Sequence, residues 1–208
     1  MEGIYSVGAP GQSRLGRKGE NYVPFPVEID TSKIIACGVG WRHNVVVYEN
    51  GKAYGWGYND ENQLGNLPRE NPNPVFMESF KDFNVTWVHC GDKITVILTD
   101  SGDVYAIGST YGSKPVRLQS SQPCVFCTCG VGTVYALDCN GDIFSCTTAT
   151  GKGVVNHLPE PICDIAAGST FCLAVSVSGR AYAKGNDSAY VDAAQHSQVI
   201  ILCQFQVF

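Results

Sequence analysis

Four glycines open four copies of one strand–turn–strand unit: Gly40, Gly91, Gly130 and Gly168. Eleven residues later each copy has a turn glycine: Gly51, Gly102, Gly141 and Gly179. Three residues further on sits an aromatic, Tyr54, Tyr105, Phe144 or Tyr182, followed by a small residue, Gly55, Ala106, Ser145 or Ala183. The N-terminal stretch Ile4-Tyr5-Ser6-Val7-Gly8 fits the second half of the same template. The copies are spaced by 51, 39 and 38 residues. Self-similarity at such periods marks a propeller, solenoid or array, whose units bury their faces only by stacking on one another.

Between the two glycines of each copy lies a short apolar run: Val45–Tyr48, Val96–Leu98, Val134–Leu137 and Leu173–Val175. These runs are rich in β-branched and aromatic residues and bounded by turn signals, so they read as strands buried on both faces. Asn50-Gly51, Ser101-Gly102, Asn140-Gly141 and Ser178-Gly179 suit tight hairpins, because glycine tolerates positive φ. In the strand after the turn, neighbouring residues face opposite ways. The aromatic therefore packs on one side, and the small residue permits close approach on the other. The shared register predicts that Tyr5, Tyr54, Tyr105, Phe144 and Tyr182 are buried at equivalent places. Gly8–Gly16 and Gly57–Gly65 align as a further loop, followed by proline-rich extended segments. Each unit then holds up to four strands, and four-stranded antiparallel sheets set radially form a propeller.

Charged residues are 16% of the 208 and hydrophobic residues 44%, a globular composition. The net charge of −5 argues against a general electrostatic grip on nucleic acid; the one basic cluster, Arg14, Arg17 and Lys18, reads as a solvated loop. Residues 1–20 lack the apolar core of a secretory signal, and Val199–Cys203 is far too short for a membrane span. The expected compartment is cytosol or nucleus. Ten cysteines invite a zinc reading, with Cys124, Cys127 and Cys129 followed by Cys139 and Cys146. Cys37, Cys90 and Cys129, however, stand in the apolar strand near the opening glycine, where Ala167 also serves. Cysteine in a core acts as a small hydrophobe, so no metal and no disulfide are expected.

Gly40-Trp-Arg-His-Asn-Val-Val-Val-Tyr-Glu-Asn-Gly51, Ala53-Tyr-Gly-Trp-Gly57, Asn62-Gln-Leu-Gly65, Cys37-Gly38 and Cys90-Gly91 resemble repeats of the regulator of chromosome condensation family. The resemblance covers about residues 4–186. It is strongest at 34–75, good at 87–118 and degenerate at 125–155 and 163–186, which lose the Trp-Gly and Gln-Leu-Gly elements. It implies an all-β fold, a β-propeller or partial propeller of about four to five blade units. One repeat domain is expected over 1–192, with 193–208 as a C-terminal strand or tail completing the last blade. Family members usually close with seven blades. The count here implies either a small ring or open blade edges, through which the chain would self-associate.

No catalytic constellation, P-loop or metal-type histidine spacing stands out, so no enzyme activity and no cofactor are expected. Trp41, Arg42 and His43 follow an opening glycine. The other copies there read Asp92-Lys93, Val131-Gly132 and Ser169-Thr170. An ultraviolet-sensing family member clusters several copies of such an element, and a single copy excludes that activity. A Trp–Arg pair that the repeat does not require suits a protein-binding hot spot. The bland alternatives are that Trp41 fills a gap, Arg42 is solvated and His43 is an inner-strand histidine satisfied by backbone. Trp56 reads as core and Trp87 as partly buried. The long stretch 58–86, holding Asp60 and Glu61, serves either recognition or connection. The resemblance implies a protein-interaction module, with a small GTPase as partner and nucleotide exchange as activity. The family's exchange residues find no match here. The alternatives are a chromatin-binding module and a regulatory propeller of a larger kinase or ubiquitin ligase.

Overall fold

A computed structural model describes residues 4–9, 11–17, 25–27, 33–185 and 191–192. A two-stranded sheet pairs β1 (Tyr5–Ser6) with β2 (Phe25–Pro26). Four antiparallel four-stranded sheets follow. The first blade is β3 (Ile34–Val39), β4 (His43–Tyr48), β5 (Ala53–Tyr58) and β6 (Glu70–Phe76). The second is β7 (Val85–Cys90), β8 (Ile94–Thr99), β9 (Val104–Gly108) and β10 (Gly112–Arg117). The third is β11 (Cys124–Cys129), β12 (Val134–Asp138), β13 (Ile143–Cys146) and β14 (Val154–Asn156). The fourth is β15 (Ile162–Ala167), β16 (Phe171–Ser176), β17 (Ala181–Gly185) and β18 (Val191–Asp192). Strands run in chain order from inner to outer edge, and the inner strands β3, β7, β11 and β15 pack side by side around an axis. The sequence expectation for 193–208 lies outside the described residues.

The opening glycine closes a tight turn. Its N–H donates to the carbonyl three residues on, in all four copies at 2.9 Å. A Cβ on Gly40, Gly91 or Gly130 would come within 3.0 Å of the carbonyl oxygen of the next copy's glycine. The glycines thus form a column in which each blade top touches its successor, and close approach, not a special backbone angle, demands them.

Each inner strand carries a bulge at the same place, after Ile34, Val85, Cys124 and Ile162. The extra residue leaves the ladder and turns outward. Ile35, Thr86, Val125 and Cys163 are accordingly exposed.

The cores lie between blades. Leu64, Met77, Phe80, Val88 and Ile97 fill the first interface. Val96, Tyr111, Leu118, Cys127 and Phe144 fill the second, and Tyr135, Leu137, Ile143, Ile165 and Tyr182 the third. The five register aromatics are not equally buried, which corrects the sequence expectation. Phe144 and Tyr182 are 4% exposed, Tyr54 and Tyr105 are half-buried, and Tyr5 is 44% exposed. These side chains face the preceding blade. Nothing described precedes Tyr5, and Tyr54 is preceded by only two outer strands; Tyr105, behind a complete blade, packs against Phe83 at 4.5 Å and stays half-buried. Among the described residues the first unit has only the two strands β1 and β2, and beside it lies a hollow of ≈410 Å³ lined by Tyr5, Val7, Cys37, Val39 and Trp56.

Candidate functional site

The turns after β3, β7, β11 and β15 and the loops after β5, β9 and β13 share one end of the blades. The loop after β5 is built around Asn59. Its Nδ2 donates to the carbonyls of Gly65 (3.1 Å) and Leu67 (2.7 Å), and its Oδ1 accepts from the Leu64 N–H at 2.7 Å. Buried Gln63 accepts from the Glu61 N–H at 2.9 Å. These ties press Leu64 into the core between the first two blades. It lies over Gly55, where an added Cβ would come 2.6 Å from Leu64 Cδ2. The small residue after the aromatic therefore makes room for a plug. Leu15 plays that part at the first unit, its carbonyl accepting from the Ser6 hydroxyl at 2.7 Å. Tyr111 plays it between the second and third blades, donating its hydroxyl to the Cys146 carbonyl at 2.8 Å.

Asp60 and Glu61 ride on this plug loop. Glu61 pairs with Lys93 of the second blade at 2.8 Å, and its carbonyl accepts from the Ser109 N–H at 2.8 Å. Asp60 stands 3.9 Å from the Arg42 guanidinium. The Trp41 N–H donates to the Gly91 carbonyl at 3.2 Å, while its side chain remains 59% exposed. Trp41 fills no gap. The Arg42 guanidinium lies over the Trp41 ring (5.2 Å) and the Tyr58 ring (5.9 Å), and Arg69 covers Tyr58 at 5.3 Å. Each distance is within cation–π range. Trp41, Arg42, Tyr58 and Arg69 thus form one ladder of alternating rings and cations. Beside Trp41, at the axis, is a shallow hollow of ≈350 Å³ lined by His89, Gly91, Asp92, Gly130 and Ser169.

His43 is fully buried, so it cannot touch a partner directly, and its place among the partner-facing residues is corrected. Thr95 donates its hydroxyl to the Gln63 carbonyl at 2.6 Å, so the His43 Nε2, 2.9 Å from that hydroxyl oxygen, carries the ring proton and donates it. Burial lowers its pKa to about 3; the Ile94 carbonyl opposes this and His89 adds to it. His43 is a neutral strut between the first and second blades.

Two profiles of the regulator of chromosome condensation (RCC1) repeat match residues 50–98 and 33–63. Residues 33–98 are therefore RCC1-like repeats. Human E3 ubiquitin-protein ligase HERC2 is 25% identical over 209 residues, covering 93% of this chain and 4% of that protein. Among solved structures, human WBSCR16 superposes with a TM-score of 0.78 at 16% identity, over 88% of this chain and 57% of that one. Prp20p from Saccharomyces cerevisiae gives 0.68 at 19% identity, over 79% of this chain and 48% of that one. The fold is a β-propeller of RCC1-like blades. The chain spans less than two thirds of each of these relatives.

The RCC1-like frame places the other candidate residues. Trp56 is buried, its indole donating to the Arg14 carbonyl at 3.1 Å, and Trp87 is half-buried against Phe126. Cys90, Cys124, Cys127, Cys129, Cys146 and Cys172 are buried, and burial pushes the Cys90, Cys127 and Cys129 thiols well above the usual range. Such thiols are poor nucleophiles and ligands at neutral pH. Cys37, Cys139 and Cys163 are exposed, correcting the expectation that the cysteines follow core positions. Cys163 is a bulge residue, Cys139 lies beside a hairpin turn, and Cys37 faces the incomplete first unit. Among the described residues no three His, Cys, Asp or Glu side chains are placed to hold a metal, and no helix is long and apolar enough to cross a membrane. The ladder residues Tyr58 and Arg69 escaped the sequence reading. Their signal was available, because neither belongs to the repeat template that also omits Trp41.

Proposed function

We propose that this RCC1-like array is a non-enzymatic protein-interaction module that engages its partner through the Trp41–Arg42–Tyr58–Arg69 face, with a small GTPase as the partner class. The ladder carries this reading. It exposes a large aromatic surface beside two planar cations, the residue types that dominate binding energy, on an end of the blades where packing does not require them. Asp60 and Glu61 flank the ladder and give the face mixed charge, suited to a partner offering both acidic and basic groups. The GTPase class follows from the family resemblance, and the structure of Prp20p is described with its binding to Gsp1p and histones. A chromatin role is disfavoured by the net charge of −5. A second reading, a regulatory propeller within a larger ubiquitin ligase, is favoured by the match to HERC2, which takes in 93% of this chain and 4% of that protein.

The test is the double variant Trp41→Ala/Arg42→Ala, with thermal melting, partner binding and nucleotide release from a GTPase panel measured together. The expected result is unchanged melting with binding weakened about 30-fold or more, the loss of one strong hot spot. Binding without accelerated nucleotide release assigns a scaffold in place of an exchange factor. Unchanged binding overturns the face. A large drop in melting temperature assigns the pair to folding.

A further inference from the structure

The turns that open the four blades bring four residues to equivalent places around the axis: Trp41, Asp92, Val131 and Ser169, each directly after an opening glycine. Three of them are uncharged. The same turn closes around Val131 as around Asp92, with the glycine N–H donating to the carbonyl three residues on at 2.9 Å in both. The repeat therefore does not need a carboxylate here. Asp92 lines the hollow of ≈350 Å³ beside Trp41.

The Asp92 carboxylate has no partner. Its Oδ1 is buried and accepts no hydrogen bond. The side chain is half-buried, and its other oxygen, equally unbonded, is the one the hollow can reach. No cation among the described residues pairs with it. Neighbouring Lys93 gives its ammonium to Glu61 at 2.8 Å, and Arg42 faces Asp60 at 3.9 Å. His89 lines the same hollow, but its Nδ1 accepts from the Cys129 N–H at 3.3 Å and burial lowers its pKa, so the ring is neutral with its proton on Nε2. The carbonyls of Gly130 and Gly168, which also line the hollow, accept no hydrogen bond among the described residues. Buried polar atoms are bonded as a rule, so an unbonded carboxylate oxygen that the turn does not require calls for another reason. With one oxygen out of reach of water, the charge is poorly screened, and the hollow attracts a cation.

The shape selects the cation. Arginine recognises a carboxylate through two parallel bonds and needs both oxygens. Only one is in reach here. A lysine ammonium is a compact point charge with three donors and no acceptor. Its stem is apolar, and Val39 and Val131, 74% and 39% exposed, flank the hollow beside the exposed Trp41 ring.

We propose that the hollow at the axis takes one lysine side chain of a protein partner, its ammonium on Asp92 and its stem against Val39, Val131 and Trp41. This rests on the reading of that end of the blades as the partner face, and adds the chemistry of the group the partner presents.

Nα-acetyl-lysine methylamide, titrated into the isotope-labelled full chain and followed by NMR, tests the proposal. Saturable shifts are expected at the amides of Gly91, Asp92 and Val131. The norleucine analogue, with the same stem and no charge, is expected to bind at least about 10-fold more weakly, and the arginine analogue more weakly than lysine. Asp92→Asn is expected to weaken the lysine probe about 10-fold or more. It should melt no lower than the parent, because it removes a charge that has no partner in the fold. Absence of saturable shifts at those amides overturns the proposal, as does equal binding of the norleucine or arginine analogue, or unchanged binding by Asp92→Asn. A marked drop in the melting temperature of Asp92→Asn also overturns it and makes the carboxylate a structural group. The probe needs no partner protein, so its failure strikes the hollow alone, whereas unchanged partner binding by Trp41→Ala/Arg42→Ala strikes the face.

Discussion

Replacing Gly91 by alanine adds one methyl group to the column around the axis. The new Cβ would come within 3.0 Å of the Gly130 carbonyl oxygen and 3.1 Å from the Cys129 sulfur. The first of these is backbone in the next blade and has no rotamer to retreat into. Relief requires the second and third blades to separate by several tenths of an ångström, loosening the core that holds Val96, Cys127 and Cys129. Overpacking of this kind costs about 1–3 kcal/mol, and the lost flexibility of the unfolded chain returns about 0.4–1 kcal/mol. The net expectation is a destabilisation of about 1.3 kcal/mol, or about 3–5 °C in melting temperature for a chain of this length. Gly132→Ala is the control, because its Cβ would meet nothing within 4 Å and its φ is not in the left-handed region. It should melt within about 2 °C of the parent. Urea and thermal unfolding of the two variants side by side decide the matter. Equal stability of Gly91→Ala and Gly132→Ala refutes the column as a close-contact device.

Acid should destabilise the chain through His43. The unfolded histidine takes up a proton near pH 6.5 and the folded one only near 3. The unfolded state thus binds more protons between these values, so the stability contribution is complete above pH 6.5 and is lost as pH falls toward 3. The difference in urea midpoint between the parent and His43→Gln should shrink by the equivalent of a few kcal/mol from pH 7 to pH 4; a pH-independent difference contradicts this. Phe144→Ala should cost about 3–5 kcal/mol, while Tyr5→Ala, at a side chain 44% exposed, should cost less than about 1 kcal/mol. Similar losses at both, in denaturant titrations, rule out the dependence of aromatic burial on the preceding blade.

The repeat and its four-stranded units were legible because their requirements are local. A turn glycine, an apolar strand and an aromatic–small pair each leave a mark at fixed spacing. Burial was less legible, because it belongs to the neighbour. Tyr5 and Phe144 occupy one register and differ in exposure because only one has a complete blade in front of it. Cys163 reads as core until the bulge turns it outward. Trp41 and Arg42 stood out as residues the template does not need. Tyr58 and Arg69 joined them only once the fold brought residues 11 apart onto one stack. His43 sat in the same tripeptide and was drawn into the candidate site by adjacency, although alternation along the strand sends its ring into the interface below.

The plugs Leu15, Leu64 and Tyr111 fasten the first three junctions of the array, and the described residues hold no fourth plug between the third and fourth blades, where a bond from Lys184 to Asn156 at 3.1 Å spans the outer strands. Rigidity is therefore graded along the chain. Trp41, Arg42 and Tyr58 sit beside the Leu64 junction, where Asn59, Gln63, His43 and the Lys93–Glu61 pair fix the surrounding loops. A partner that settles there meets groups already held in place, so little conformational freedom remains to be surrendered on binding. Each blade of such an array contacts only its neighbours, so an opening of the fourth blade would leave the proposed partner face in place.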